Sequence, residues 1–224
     1  MSAQPFLSLG KKTSEIPVKI SYRIIELFSG GLYSSPNKAI EELVANSFDA
    51  LASNVHIVLP NDINHADATI WVVDDGVSMD DAGLKQLWKI ASSTKRNPGT
   101  ESKKRPPIGR FGIGKLATYV LARELTYICK TKKGYRAVTM DFGAIKQDSD
   151  TDEELKLDVR NLTEAQAKAA LVNLDHSDSP AAKAIQLFGK SASPSWTVTA
   201  MTNLKPLAQQ ITHGRLKWVL STAL

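Results

Sequence analysis

Apolar positions along the 224-residue chain alternate between helical and strand-like spacing. In residues 35–50 and on to Leu51, Ile40, Leu43, Val44 and Leu51 fall on one side of a predicted helix, while Glu42, Asn46 and Asp49 gather opposite. Ser35 suits the N-cap and Pro36 the first helical position. Val55 to Leu59, stopped by Pro60, and Ile70 to Val73 read as strands flanking a turn at Asn61 to His65. From Asp80, a natural N-cap, Leu84, Leu87, Trp88 and Ala91 recur at helical spacing. Lys115 to Arg123 reads as a helix, and Glu124 to Thr131 with Tyr135 to Phe142 as a hairpin around Lys132-Lys133-Gly134. Thr163 opens a helix towards Leu174, and Ser179-Pro180 opens another that Gly189 ends. Trp196 to Leu204 is a strand, and the last twenty residues look helical.

Ahead of the first helix, Ile20, Ile24, Ile25 and Leu27 suggest a short helical turn before Gly30-Gly31, and the residues preceding them read as an arm. The expected organisation is an N-terminal arm over 1–19, an α/β core over 20–145, a helical pair inserted over 146–195, and a closing strand and connection over 196–224. The ending inside a predicted helix suggests a domain of a longer protein.

Composition narrows the classes. Charged residues make up 23% and hydrophobic ones 42%, ordinary for a packed domain and unlike a disordered chain. No apolar run reaches membrane-spanning length and no basic-then-apolar leader opens the chain, so a cytoplasmic or nuclear protein is expected. Cys129 is the only cysteine, which excludes an internal disulfide and multi-cysteine zinc sites. His176 and His213 have no ligand partners nearby in sequence and read as surface histidines. The net charge of +5 is unevenly placed. Lys95, Arg96, Lys103, Lys104, Arg105 and Arg110 crowd one segment, and Asp148, Asp150, Asp152, Glu153 and Glu154 form an acidic loop.

Two further stretches give the polar face of the first helix a purpose. The run Thr69 to Val73 ends in Asp74-Asp75-Gly76-Val77-Ser78-Met79, a strand that stops in an acidic turn. Gly109-Arg110-Phe111-Gly112-Ile113-Gly114-Lys115 is a glycine-rich loop feeding a helix, a place where backbone amides can seat a phosphate. It nearly matches a P-loop, but Leu116 stands where a magnesium-binding Ser or Thr is needed, and Arg105-Pro106-Pro107 is a poor preceding strand. The basic segment from Ser92 to Pro107 has the composition of a mobile loop and lies where it could close over a polyphosphate.

These motifs, in this order, resemble the nucleotide-binding domain of the GHKL superfamily, which contains DNA gyrase, the ninety-kilodalton heat-shock chaperones, histidine kinases and MutL. Glu42-x-x-x-Asn46-x-x-Asp49-Ala50 is similar to its first box, Asp74-x-Gly76-x-Ser78-Met79 to its second, and Gly109-x-Phe111-Gly112-x-Gly114 to its third. The resemblance implies a two-layer α/β sandwich of the Bergerat type, with a mixed, largely antiparallel sheet, helices on one face and a mobile ATP lid. It also implies binding of ATP with magnesium and slow hydrolysis coupled to lid closure and dimerisation. Asn46 would reach magnesium, Glu42 would activate water, and Asp49 would buttress the adenine side. Asp74 would accept the six-amino group of adenine, where guanine presents an acceptor. Gly76 would let backbone approach the base. Arg110, Ile113 and the loop glycines would surround the phosphates, with Thr94, Lys95 and Lys115 as helpers, and Thr197 would be the threonine of the closing strand. Trp196 and Ser78 depart from the pattern, since glycine is usual at both places, and Ser78 is expected to narrow the pocket or add a hydrogen bond. Hydrolytic relatives draw a further lysine from a following transducer domain, which this chain is too short to contain in full, so weak turnover is expected of the isolated chain.

Three classes remain open on sequence alone: an ATPase domain driving a clamp or chaperone-like machine, a nucleotide-sensing module that does not hydrolyse, and a nucleic-acid-binding module using the basic segment. A homodimer, DNA and a protein client are the partners these classes bring, and a membrane is not among them.

Overall fold

The computed structural model describes residues 9–18, 35–87, 117–144, 155–172 and 194–223. Seven strands form one sheet: β1 (Lys11–Val18), β2 (Val55–Val58), β3 (Ile70–Asp74), β4 (Ala122–Thr131), β5 (Gly134–Asp141), β6 (Leu155–Leu162) and β7 (Trp196–Leu204). Their order is β1-β6-β5-β4-β7-β3-β2. Every neighbouring pair among the described strands is antiparallel. Among the described residues four α-helices accompany it: α1 (Pro36–Asp49), α2 (Asp81–Leu87), α3 (Glu164–Val172) and α4 (His213–Ala223).

Burial explains the layering. In β3 all five residues are buried, as befits a strand covered on both faces. Ile70 and Val72 point into a core shared with Ile40 and Leu43 of α1, Leu84 of α2 and Leu216 of α4. Trp71 and Val73 point the other way, into a second cluster with Ile128, Val198, and Ala167 and Ala170 of α3. Three helices thus cover one face, as the expected sandwich requires, and α3 packs on the other. That is why Trp196 can stand where a glycine was expected. Its side chain lies in the second cluster, 5.9 Å from the Tyr135 ring, on the face away from its neighbour Thr197.

Local chemistry fixes several boundaries. Asp80 caps α2, its carboxylate accepting from Gly83 N at 3.1 Å, and Lys133 and Arg136 at the hairpin end bind Asp80 and Asp81 at 2.7 Å each. The hairpin turns on Lys132 and Lys133, with Thr131 opposite Gly134, which takes φ +106°. Thr163 and Gln166 form a reciprocal capping box at α3: the Gln166 amide donates to the Thr163 hydroxyl at 3.1 Å and the Thr163 amide to the Gln166 side chain at 2.9 Å.

Four expectations change. Residues 11–18, read as part of an arm, are an edge strand that buries Ile16 against the core. Their alternation is hidden because a bulge between Lys12 and Ser14 shifts the register and Pro17 breaks the strand-like look. Residues 155–162, read as part of a helical insertion, are β6, joining β1 to β5. The helix read over Lys115 to Arg123 is, from Thr118, a single 3-10 turn running into β4. Ser35 stands at the N-cap of α1 in extended geometry without a side-chain cap bond, and α1 ends at Asp49, leaving Leu51 beyond it at φ +61°. The turn expected near Ile20 to Leu27, the helix from Ser179 and residues 88–116 lie outside the described residues.

Candidate nucleotide site

Asp74 ends β3 with only 6% of its surface exposed. Its Oδ1 accepts the Gly76 amide at 3.0 Å and its Oδ2 accepts the Ser47 hydroxyl at 3.0 Å. Burial pushes its carboxyl up to about 6; the Gly76 and Ser47 bonds oppose that shift and the charge of Asp75 adds to it. Two donors on a carboxylate leave further lone pairs to accept from a ligand.

Ser47 is the site residue that sequence reading missed. It lies four residues after Leu43 on the buried stripe of α1, and its hydroxyl sits 3.1 Å from the Leu43 carbonyl as well as 3.0 Å from Asp74. A hydroxyl on an apolar stripe must find a partner, and this was the available signal. Glu42, Asn46 and Asp49 are half-buried together on the adjoining face, with Glu42 and Asn46 one helical turn apart.

The loop leaving β3 is bolted to both neighbours. Asp75 accepts from the amides of Ser53 and Asn54 at 2.7 and 2.8 Å and from Asn54 Nδ2 at 2.8 Å. Burial works to raise its carboxyl, but these bonds prevail and hold it below the ordinary value. Val77 N donates to the Ala50 carbonyl at 2.7 Å, tying the loop to the end of α1. From the β7 side, Ser195 donates to the Gly76 carbonyl at 2.9 Å and Thr197 to Ser78 Oγ at 3.1 Å. Thr197 is the cross-strand partner of Asp74 on one side and of Cys129 on the other. The Cys129 thiol, fully buried, is pushed up to about 12 by that burial, against hydrogen bonds from Ser78 and the Met79 backbone. It is a neutral, unreactive part of the floor. Burial likewise raises Tyr127 beside it.

Gly76 is required by packing. A methyl group there would meet the Ala50 carbonyl at 2.7 Å and the Ala52 amide at 3.1 Å, so the backbone approach it permits is to the exit of α1. G76A is expected to cost about 1–3 kcal/mol, as overpacking does, and to lower the melting temperature in a thermal scan by several degrees.

Hydrogen bonds and strand pairing therefore join Ser47, Asp74, Gly76, Ser78 and Thr197 where the end of α1, the exit of β3 and the start of β7 meet. Glu42, Asn46 and Asp49 lie along the neighbouring face of α1, and Met79 follows Ser78 in the loop. Thr94, Lys95, Gly109, Arg110, Phe111, Gly112, Ile113, Gly114 and Lys115 lie outside the described residues. Among the described residues no helix is long and apolar enough to cross a membrane.

No curated protein matches the chain. A family model described as histidine kinase-, DNA gyrase B- and HSP90-like ATPase matches residues 33–180, a span that holds α1, the β3 exit and the glycine-rich loop. The match covers more than half of the chain and agrees with the antiparallel sheet and the carboxylate at its end. The chain belongs to this family of histidine kinase-, DNA gyrase B- and HSP90-like ATPases and is an ATP-binding domain of that kind.

Proposed function

We propose that the chain binds ATP with its adenine against Asp74 and hydrolyses it slowly in the presence of magnesium, the nucleotide state governing lid closure and dimerisation of a larger protein. The observation that carries this reading is the buried Asp74 carboxylate, fixed by Gly76 and Ser47, at the foot of the helix that bears Glu42 and Asn46. A buried acceptor rewards an exocyclic amine and repels a carbonyl oxygen, which selects adenine over guanine. Glu42 takes the proton of an attacking water, and the carboxylate holds it while the terminal phosphate leaves. Asn46, one turn on, offers a neutral oxygen to magnesium. A single neutral oxygen suits a cation that brings phosphate oxygens and waters with it. Magnesium, when bound, neutralises phosphate charge. Asp49 stands one further turn along and supports the base side.

The resemblance of the 92–107 segment to an ATP lid supports closure over the phosphates, and the family's use of a following domain supports weak turnover by this chain alone. Calorimetric titration with ATP and magnesium, run beside GTP, tests the reading. Saturable binding of ATP with GTP at least tenfold weaker is expected. Equal binding of the two, or none of either, would remove the Asp74 pocket as a base site.

A further inference from the structure

The hydroxyl best placed to serve the base is already in use. Thr197 lies directly across from Asp74 on β7, and its Oγ1 donates to Ser78 Oγ at 3.1 Å. Ser78 in turn hydrogen-bonds the buried Cys129 sulfur, so the three side chains form a line from β7 through the β3 exit loop to β4. A purine that gives its six-amino group to Asp74 presents ring N1, an acceptor, on the same edge. Thr197 is the adjacent hydroxyl, and one hydroxyl has one proton to give.

We infer that Ser78 is a positioning residue that sets the affinity of the base pocket by competing with ring N1 for the Thr197 proton. With Ser78 in place, the resting edge of the pocket is made of acceptors alone, the Asp74 carboxylate and the Thr197 oxygen. Entry of adenine exchanges the Thr197–Ser78 bond for a Thr197–N1 bond, and the net gain is small because one hydrogen bond replaces another. A residue without a side-chain acceptor at position 78 leaves the Thr197 hydroxyl free to turn to the ring. The inference rests on the adenine reading of Asp74 and adds to it a reason for a serine at this place.

The experiment uses the full chain and compares ATP with 1-deaza-ATP, in which ring N1 is replaced by C–H, by calorimetry with magnesium present. Each variant is first checked by a thermal scan. S78A and S78G are expected to bind ATP roughly fivefold tighter than the unsubstituted chain, the size of one ordinary hydrogen bond. With 1-deaza-ATP, or with T197V in the background, that gain should vanish. Unchanged ATP affinity in both S78A and S78G overturns the inference, as does a gain that survives loss of N1 or of the Thr197 hydroxyl. D74N separates the two levels. If it binds ATP as well as the unsubstituted chain, the base reading itself fails. If it loses binding while S78A gains nothing, only the role of Ser78 fails.

Discussion

E42Q will lower ATP turnover by about two to four orders of magnitude, the usual worth of a positioned general base, while ATP affinity stays within about threefold. Glutamine keeps the size and helical fit of the side chain on α1 but cannot take a proton from water. Affinity is expected to be spared because the proposed base contact is elsewhere, at Asp74, which Ser47 of the last turn of the same helix holds. Removing a carboxylate from beside a polyphosphate also removes repulsion. Single-turnover hydrolysis with chain in excess over labelled ATP, set beside calorimetric affinity, measures both quantities. Turnover by E42Q equal to that of the unsubstituted chain would take the general base away from Glu42. An unsubstituted chain that binds ATP and never cleaves it would favour the nucleotide-sensing class.

The parts of the fold legible in the sequence are those where one local signal agrees with burial. α1 declares itself through Pro36 and the Ile40-Leu43 stripe, α2 through Asp80, and the β4–β5 hairpin through a lysine pair followed by glycine. β1 and β6 were illegible for a physical reason: they pair with each other across more than 130 residues of chain, and neither has a periodic pattern clean enough to be seen without its partner. Ser47 and Asp75 carry roles that the sequence hides for a related reason. Their roles come from hydrogen bonds spanning 27 and about 21 residues, and a serine or aspartate looks the same in sequence whether it meets water or a buried partner. Glu124 is the contrasting case. It is a buried carboxylate at the opposite end of β4, but Thr202 and Asn203 donate to its two oxygens at 2.9 Å each, which suits a structural tie within the sheet.

D74N will separate stability from binding, and pH will show why. At neutral pH the ionised Asp74 is a liability to the apo fold: its carboxyl lies at about 6 in the folded chain, against an ordinary value near 4, so the folded state prefers the protonated form. A folded value raised in this way means that stability is gained as pH falls through about 6, and the gain is complete below the unfolded value near 4. Asparagine is neutral throughout. It can accept the Gly76 amide with its oxygen and donate to Ser47 with its nitrogen, freeing the Ser47 proton for the Leu43 carbonyl. D74N should therefore be more stable at pH 7 by up to about 3 kcal/mol, the free energy of holding a carboxyl near 6 instead of near 4, with the difference closing by about pH 4. Its ATP affinity should fall about ten- to a hundredfold, since a charge-assisted acceptor is lost and an amide donor can face the incoming amine. Unsubstituted binding should hold steady above about pH 7 and weaken about tenfold at pH 5, as protonation withdraws the acceptor. The nucleotide's own phosphate also titrates near pH 6, so the informative quantity is the difference between the two affinity–pH curves. Denaturant melts from pH 4 to 8, with calorimetry from pH 5 to 8, measure both. Parallel affinity curves would mean that no base contact titrates with Asp74, and a D74N chain less stable than the original at pH 7 would mean that the ionised carboxylate holds the end of α1 more firmly than burial opposes it.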